Sequence, residues 1–316
     1  MSIKSFIGIA SVALVAALAG CGGDSSSDGA SSGAGDDANV EQLLEDTFGA
    51  NPKASSGRLR GRIDINVEGV PTYRKPIALT MTGPFGESAN GTPEANLTVA
   101  IELRDTALGG ELILKGDKAL IGLGSTGYEI PDSISTPLRK PLVGSDNTLG
   151  AIMAVFGVAP RRWAKSPRIV GNEELDGVDT IHGTAQIDAQ RFFLDVAKLT
   201  KTLTALRVTD ITGLPKVIDR QHREALVRSV TSATGAVYTG ADDKVMRKAE
   251  IDIELKPSAA DSKRLGGITS LTIDGELNVT EVGATPRVEL PVSSGSYAEL
   301  QVALDVLADN ARQQFR

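Results

Sequence analysis

The stretch EELDGVDTIHGTAQID, residues 173–188, decides the fold of this chain. An Asp-Gly pair between two strand-like runs favours a tight hairpin turn, and here that pair is Asp176-Gly177. The run Arg168–Leu175 leads into the turn, and the run Val178–Ile187 leaves it. Asp188 follows at a position that suits a helix N-cap, directly before apolar residues at helical spacing. The order predicted from this stretch is therefore strand, turn, strand and helix.

Runs of alternating apolar and polar residues extend the pattern on both sides. Such period-two alternation is typical of antiparallel strands that bury one face and expose the other. The runs are Leu59–Val67, Leu97–Leu103, Val245–Leu255 and Leu271–Val279, with a hairpin over Leu112–Ile121 that turns near Gly116-Asp117. The residues from Gly83 to Pro93 are predicted to be a connection, and Gly275 is predicted to mark a bend or a bulge.

Helical spacing is confined to a few separate segments. The predicted helices are Glu41–Phe48, Ser145–Val158 with Asp146 as its cap, a helical insertion near 189–234 whose second helix runs from Lys216 to Thr234 and ends at Gly235, and a C-terminal helix near 296–313. Helices so few and separated cannot build a second core, whereas half-apolar strands must bury one face. The fold class predicted is α+β, a single domain over residues 40–316 in which a curved antiparallel sheet of roughly eight or more strands wraps over several helices.

The N-terminus carries an export signal. Lys4 is followed by an unbroken run of small and apolar residues, Phe6–Ala19, and small residues precede Cys21, the only cysteine of the chain. These features together form a secretory signal peptide. Leu18, Ala19, Gly20 and Cys21 resemble the bacterial lipoprotein box, in which the cysteine receives a diacylglyceryl thioether and the peptide is cut before it. The alternative is an ordinary signal peptide with a cysteine at this position by chance.

We therefore expect a signal peptide over residues 1–20, Cys21 as the lipidation site, and a flexible tether over residues 21–39. Gly, Ser, Ala and Asp dominate the tether, and none of its residues can anchor a core. A coil of this length has a reach of roughly 20–25 Å. The protein is thus expected to be exported and held by its N-terminal acyl anchor on the outer face of the cell membrane.

Charge limits the partners of the folded body. Without the signal, which holds one lysine and no acidic residue, 32 basic and 40 acidic residues give a formal net charge of −8. This charge argues against a nucleic-acid partner. It also gives no overall attraction to anionic headgroups, so we expect the lipid anchor to hold the protein on the membrane. A single cysteine excludes an internal disulfide, and stability must come from a packed core.

Residues of catalytic or metal-binding type are scarce. The two histidines, His182 and His222, fall in different predicted elements and have no metal-ligand spacing. The one Gly-x-Ser-x-Gly match, Gly29 to Gly33, falls in the Gly- and Ser-rich segment after Cys21 rather than between a strand and a helix, so it is no nucleophile elbow. The sequence contains no phosphate-binding Gly-x-x-x-x-Gly-Lys loop. Trp163 lies among cations, and two interpretations stay open: it fills the core beside a helix, or the cluster contacts lipid headgroups. We predict no catalytic residue, no metal and no cofactor.

The order of these segments resembles the actinobacterial LppX/LprAFG-like lipoproteins, whose fold is similar to that of the LolA/LolB lipoprotein carriers. The resemblance covers Glu41 to Pro291 and depends on pattern and order. The segments that carry it are GRLRGRIDINVEGVP, GGELILKGDKALIGL, VGNEELDGVDTIHGTAQID, VYTGADDKVMRKAEIDIEL and SLTIDGELNVTEVG. The chain departs from the family in the long segment Lys198–Thr234 and in the helix after Pro291, which leaves the size and entrance of a cavity open.

The resemblance implies a half-barrel, a sheet curled over helices with an apolar cavity between them, that binds and transfers lipid or acylated glycolipid across the cell envelope without catalysis. Of the family's features only the lipidated cysteine transfers, as Cys21. Aliphatic residues on the strands are the candidates for the cavity wall, although each of them can equally be ordinary core. They are Leu97, Val99, Ile101, Leu103, Leu112, Leu114, Ile251, Ile253, Leu271 and Ile273.

The sequence leaves three functions open. The first is a lipid-binding or lipid-transfer lipoprotein, expected to be a monomer, for which an envelope transporter would be a further partner. The second is a lipid-anchored interaction or scaffold module with a filled core and no ligand cavity. The third is a hydrolase, which lacks a recognisable nucleophile. An aliphatic cavity of several hundred Å³ favours the first, and an exposed apolar patch favours the second.

Overall fold

The structure is a computed structural model that describes residues 34–48, 54–71, 75–88, 91–103, 106–116, 118–139, 159–205, 218–284 and 288–314. Its described part contains twelve strands in one sheet, six α-helices and one 3-10 helix. The α+β class predicted from the sequence is therefore confirmed, with a large, open and curved antiparallel sheet.

The strands are β1 Gly57–Glu68, β2 Ile77–Glu87, β3 Pro93–Leu103, β4 Thr106–Lys115, β5 Lys118–Leu123, β6 Thr126–Glu129, β7 Ala164–Leu175, β8 Val178–Ile187, β9 Val230–Gly240, β10 Met246–Leu255, β11 Ser270–Thr280 and β12 Ser293–Gly295. The helices are α1 Ala34–Phe48, α2 Asp132–Arg139, α3 Ala189–Ala205, α4 Arg220–Ser229, α5 Ala259–Arg264 and α6 Tyr297–Gln314, with the 3-10 helix η1 at Pro160–Trp163.

The strand order is β12-β6-β5-β4-β3-β2-β1-β11-β10-β9-β8-β7. Neighbouring strands pair antiparallel, except for the parallel pair β12–β6. Most neighbours are also neighbours in sequence, so hairpins build the two halves of the sheet. The halves meet where β1 pairs with β11 over eleven residue pairs, from Arg58–Thr280 to Glu68–Ser270.

The hairpin predicted from residues 173–188 is β7–β8. Its turn residues Asp176 and Gly177 have φ of 52° and 79°, and two consecutive positive φ values are typical of the Asp-Gly turns that suit the twist of a hairpin. Asp188 caps α3 as predicted, because its Oδ1 accepts from the backbone N–H groups of Gln190 and Arg191 at 3.0 and 3.1 Å.

Two predictions of secondary structure are wrong. Most of the predicted connection Gly83–Pro93 belongs to strands, because β2 extends to Glu87 and β3 begins at Pro93. A Cβ on Gly83 would lie 1.9 Å from the carbonyl oxygen of Asn96. Gly83 is therefore required by close approach to β3, which a turn-like composition conceals.

The second error concerns the helical insertion, which was predicted to continue to residue 234. Helix α4 spans only Arg220–Ser229, and Val230 begins β9, so Gly235 lies within a strand. The pairing of β9 with both β8 and β10 overrides the local helical pattern. The helix predicted at Ser145–Val158 lies outside the described residues, as do Cys21 and the lipoprotein box.

Two further features, the start of α1 and the register at Gly275, differ from the predictions. Helix α1 begins at Ala34, so residues 34–39 of the predicted tether are helical. At Gly275 the register of β11 continues without a shift. A Cβ there would lie 2.7 Å from Cγ1 of Ile251, so this glycine makes room for a neighbouring side chain and marks no bulge.

Candidate functional site

One face of the sheet is aliphatic across its central strands. Ile253, Ile273, Ile65 and Ile77 pair in turn, so they form a single row across β10, β11, β1 and β2. Leu79 and Ile101 extend the next row to β3. We call this surface the inner face. It forms most of the main hydrophobic core of the described residues, to which α3 contributes Phe192 and Val196.

The predicted cavity residues all belong to strands of this surface, in two groups separated by β1 and β2. Leu97, Ile101, Leu112, Leu114, Ile251, Ile253, Leu271 and Ile273 are buried in the core, and Val99 packs against it. The side chain of Leu103 lies outside the described residues. Burial of this kind is shared by the wall of a closed cavity and by ordinary core, so it leaves both interpretations open.

An apolar space of about 60 Å³ lies between α1 and the inner face of β8–β10. Of the ten predicted residues, Ile251 lines it. Its other walls include Leu43 of α1, Trp163 of η1, and Ala185 and Val237 of the sheet. One signal for this site is present in the sequence, namely the small residues of β8 and β9, and the reason for them is apparent only once α1 is placed above them.

Gly183 shows how closely α1 approaches the sheet. A Cβ at this position would lie 2.9 Å from Cδ2 of Leu43, so any larger residue would push against α1. At the rim of the same contact, the guanidinium of Arg161 forms ion pairs with Glu41 and Glu45 of α1. Helix α1 is thus held by an apolar underside and by a charged clamp from η1.

Trp163 is fixed in the core by a buried carboxylate. Its Nε1 donates to Oδ2 of Asp195 at 3.0 Å, and the backbone N–H of Ala159 donates to the same oxygen at 3.1 Å. Oδ1 of Asp195 lies 2.6 Å from Nζ of Lys198. Trp163 is 2 % exposed and meets Phe192 edge-on, with ring centroids 5.0 Å apart. The interpretation of Trp163 as core beside a helix is confirmed.

The outer face of the same strands is polar and contains a groove of about 970 Å³ that spans β1, β11, β10, β9, β8 and β7. Its charged lining residues are Arg62, Asp64, Arg168, Glu250, Asp252, Asp274 and Glu276. Asp64, Asp274 and Asp252 stand directly opposite one another on adjacent strands. Burial raises the pKa of Asp274, and the charge of Asp252 adds to the rise.

The two histidines lie apart and have ordinary structural partners. His182 on β8 stacks on Tyr238 with ring centroids 4.3 Å apart, and its Nδ1 lies 3.5 Å from Oε2 of Glu173. Burial, followed by the charge of Glu250, raises the pKa of Tyr238. His222 lies in the first turn of α4, where its backbone N–H and its ring both contact Asp219.

Neither a metal-binding cluster nor a membrane-spanning helix is found among the described residues. Within those ranges no cluster of three or more His, Cys, Asp or Glu side chains is arranged to hold a metal ion. Among the described helices, none is long and apolar enough to cross a membrane.

The sequence matches no protein-family model, and no curated protein matches it. Similar solved structures include LprF from Mycobacterium bovis, with 11% identity, coverage of 81% of this chain and 98% of the other, and a TM-score of 0.41. The lipoprotein LppX from Mycobacterium tuberculosis shows 14% identity, coverage of 80% and 100%, and a TM-score of 0.40. A putative outer membrane lipoprotein-sorting domain from Vibrio parahaemolyticus shows 10% identity, coverage of 86% and 99%, and a TM-score of 0.23.

Lipoproteins of the LppX/LprAFG type, which the sequence resembles, are thus present among the similar structures. At this identity and at these scores the likeness transfers no function, and the function proposed below is built on the residues of this chain.

Proposed function

We propose that this protein is a membrane-anchored, non-catalytic lipoprotein that binds a lipid or acylated glycolipid and transfers it across the cell envelope. Cys21 would carry the acyl anchor, and the ten predicted aliphatic residues would form part of the wall around the bound acyl chain. The observation that carries the proposal is the continuous aliphatic inner face, which borders an apolar space beneath α1.

The hydrophobic effect gives such a face its affinity for alkyl chains. Each CH₂ group removed from water contributes about 0.8 kcal/mol, so ten buried methylenes contribute about 8 kcal/mol before the cost of ordering the ligand is subtracted. No polar side chain is required for binding of this kind. The headgroup would stay at the rim, where the charged clamp between η1 and α1 lies.

The size of the apolar space determines how loading would occur. Ligand pockets usually measure about 300–1,000 Å³, whereas the space beneath α1 measures about 60 Å³. An acyl chain therefore fits there only if α1 moves away from the sheet. Such a movement would expose the buried residues Leu43, Leu44 and Phe48 of α1 and break its ion pairs with Arg161, so the bound acyl chain must replace those contacts.

Trp163 provides a direct test, because it is the only tryptophan of the chain and it lines the apolar space. The mature chain with Cys21→Ser, purified without detergent, is mixed with vesicles of phospholipid whose acyl chains carry bromine. Bromine quenches tryptophan fluorescence at short range, so the proposal predicts quenching of Trp163 that unbrominated lipid does not produce. Unchanged fluorescence in the presence of brominated lipid would contradict the proposal.

A matched pair of variants separates binding beneath α1 from adsorption elsewhere. Ala185→Phe places a ring in the apolar space, whereas Gln186→Phe places it on the opposite, exposed face of the same strand. The proposal predicts that Ala185→Phe abolishes the quenching and that Gln186→Phe leaves it intact. Equal quenching in both variants would mean that the acyl chain binds at another place.

The second candidate is a lipid-anchored interaction or scaffold module with a filled core. The small volume of the apolar space beneath α1, about 60 Å³, favours it. In that case Trp163 would stay unquenched by brominated lipid, and no lipid would accompany the purified protein.

A further inference from the structure

Four exposed cations lie together where η1, β7 and α3 meet. Arg162 belongs to η1, Lys165 and Arg168 belong to β7, and Arg191 lies in the first turn of α3. Nη1 of Arg191 donates to the carbonyl oxygen of Arg162 at 3.0 Å, which ties the two segments together. We call these four residues the basic corner. Net charge conceals it, because the mature chain carries −8 overall.

A bulge in β7 gives this surface its form. In a regular strand, residues three apart point to opposite faces. Here Lys165 pairs with Gln186 and Arg168 pairs with Thr184, so three steps on β7 match two on β8. The extra residue brings both cations onto the outer face, where Nε of Arg168 donates to Oγ1 of Thr184 at 3.2 Å. Ser166, within the bulge, has a φ of 47°.

The bulge therefore carries an energetic cost for which the packing of the core does not account. A positive φ on a residue other than glycine is strained, and such strain tends to occur at functional sites. Its result here is the placement of two like charges on one face, which by itself is unfavourable. Both costs are offset if an anion binds to this face.

The one carboxylate within the corner is already engaged. Oδ1 of Asp188 caps α3, while Oδ2 lies 3.3 Å from Nζ of Lys165 and 3.7 Å from Nε of Arg191. The side chain of Asp188 is only 16% exposed, against 59% for Lys165 and 61% for Arg191. Within the corner, four cations thus face one carboxylate, while the nearest acidic residues of α1, Glu41 and Glu45, pair with Arg161.

The corner also lies beside the point where the tether reaches the folded body. Helix α1, which follows the predicted tether, packs against β7 and η1. The acidic residues of the groove begin on β10, three strands from β7 and therefore about 14 Å away. That distance exceeds a Debye length of about 8 Å at physiological ionic strength, so their repulsion of an anionic surface is screened.

We propose that the basic corner, formed by Arg162, Lys165, Arg168 and Arg191, docks on the anionic phospholipid headgroups of the membrane that holds the anchor, and so turns the α1 end of the body toward the bilayer. The inference rests on the proposed function in that it takes the protein to be membrane-anchored. The diacylglyceryl anchor would hold the chain on the bilayer, and the basic corner would orient the body through an attraction of about 1 kcal/mol per basic residue.

The test measures vesicle binding without the acyl anchor. The mature chain with Cys21→Ser is co-sedimented with phosphatidylcholine vesicles that either contain or lack phosphatidylglycerol, at low and at physiological ionic strength. We expect binding to the anionic vesicles only, weakened by salt. Replacing all four cations of the corner by Gln should weaken it about fivefold for each cation removed, which corresponds to about 1 kcal/mol per basic residue.

A control variant changes net charge equally at exposed cations away from the corner, with Arg58, Lys118, Arg220 and Lys263 replaced by Gln. It should bind anionic vesicles like the parent chain. Equal loss in both variants, binding to neutral vesicles, or no binding by the parent would overturn the proposal. If the fourfold corner variant fails to fold, the double variant Arg162→Gln/Arg168→Gln leaves both partners of Asp188 in place and should bind about 25-fold more weakly, again at about fivefold per cation.

Trp163 quenching by brominated lipid is measured on the same preparations. The corner variant should keep it, because none of its four changes fills the apolar space. Absence of quenching in the parent chain would contradict lipid binding beneath α1. The sedimentation data would then still test docking of the basic corner independently.

Discussion

Asp195→Ala tests whether the Trp163–Asp195 hydrogen bond holds η1 on α3 and thereby forms the surface on which α1 packs, which we call the α1 seat. The Asp195 side chain is 6% exposed and accepts hydrogen bonds from Nε1 of Trp163 and the backbone N–H of Ala159 through one oxygen. Alanine removes the acceptor and leaves the indole N–H buried, because Trp163 is 2 % exposed. The free energy of unfolding should therefore fall.

The size of the effect follows from these donors. A buried donor without an acceptor costs about 1–3 kcal/mol. Trp163 should show the full cost, whereas the half-buried Ala159 can recover part of it from water, so we expect a loss of about 3 kcal/mol for Asp195→Ala. Asp195→Asn keeps one acceptor oxygen for the two donors but loses the charge and the acceptor for Lys198, which is 49% exposed and can turn to water, so its cost should be about 1 kcal/mol.

Urea unfolding measures both variants, with the slope of the transition as a check that the unfolded state has not changed. Lys198→Met is the matched control: Lys198 is 49% exposed, so loss of its ion pair with Asp195 should cost less than about 1 kcal/mol. If Asp195→Ala destabilises by no more than about 0.5 kcal/mol, as an ordinary surface substitution does, the contact does not anchor η1 and this account of the α1 seat is wrong.

Two predictions concern carboxylates. Because burial and the charge of Asp252 raise the pKa of Asp274, its ionised form weakens the fold; Asp274→Asn should stabilise by about 0.2–1 kcal/mol at neutral pH, with the gain vanishing below the unfolded pKa of about 3.9. Urea unfolding of the variant and the parent chain at neutral pH and below about pH 3.9 checks this. No gain in the free energy of unfolding at neutral pH would contradict it. The hydrogen bond from Arg228 lowers the pKa of Asp261, so its stabilisation is complete above about pH 3.9 and is lost as pH falls through the folded pKa. Asp261→Asn should reduce the loss of unfolding free energy as the pH falls below about 3.9. The same pH dependence in the variant and the parent chain would refute a contribution from the Arg228–Asp261 ion pair.

Local signals in the sequence predict much of the sheet. The Asp176-Gly177 turn, the alternation in β1, β10 and β11, and the cap at Asp188 each depend on residues close in the chain, and the structure confirms them. Strand β2 was missed because the reason for Gly83 is its contact with β3. Helix α4 was extended too far because the pairing partners of Val230–Thr234 are distant in sequence.

The candidate site shows the same limit. Alternation identified Ile251 and its neighbours as inward-facing, but strand order was required to place α1 above Gly183. The basic corner depends on a bulge at Ser166 that no propensity indicates, and on the contact of α3 with η1. The net charge predicted no attraction to anionic headgroups, because a sum over the whole chain does not show that the basic corner and the acidic groove lie in different places.

Native mass spectrometry tests lipid binding most directly. The mature chain with Cys21→Ser is purified without detergent from a host that contains lipid, and its mass is recorded before and after incubation with vesicles. The account predicts a defined additional mass that organic solvent extracts as lipid. A bare-protein mass that stays bare after exposure to vesicles would contradict it and favour the interaction module.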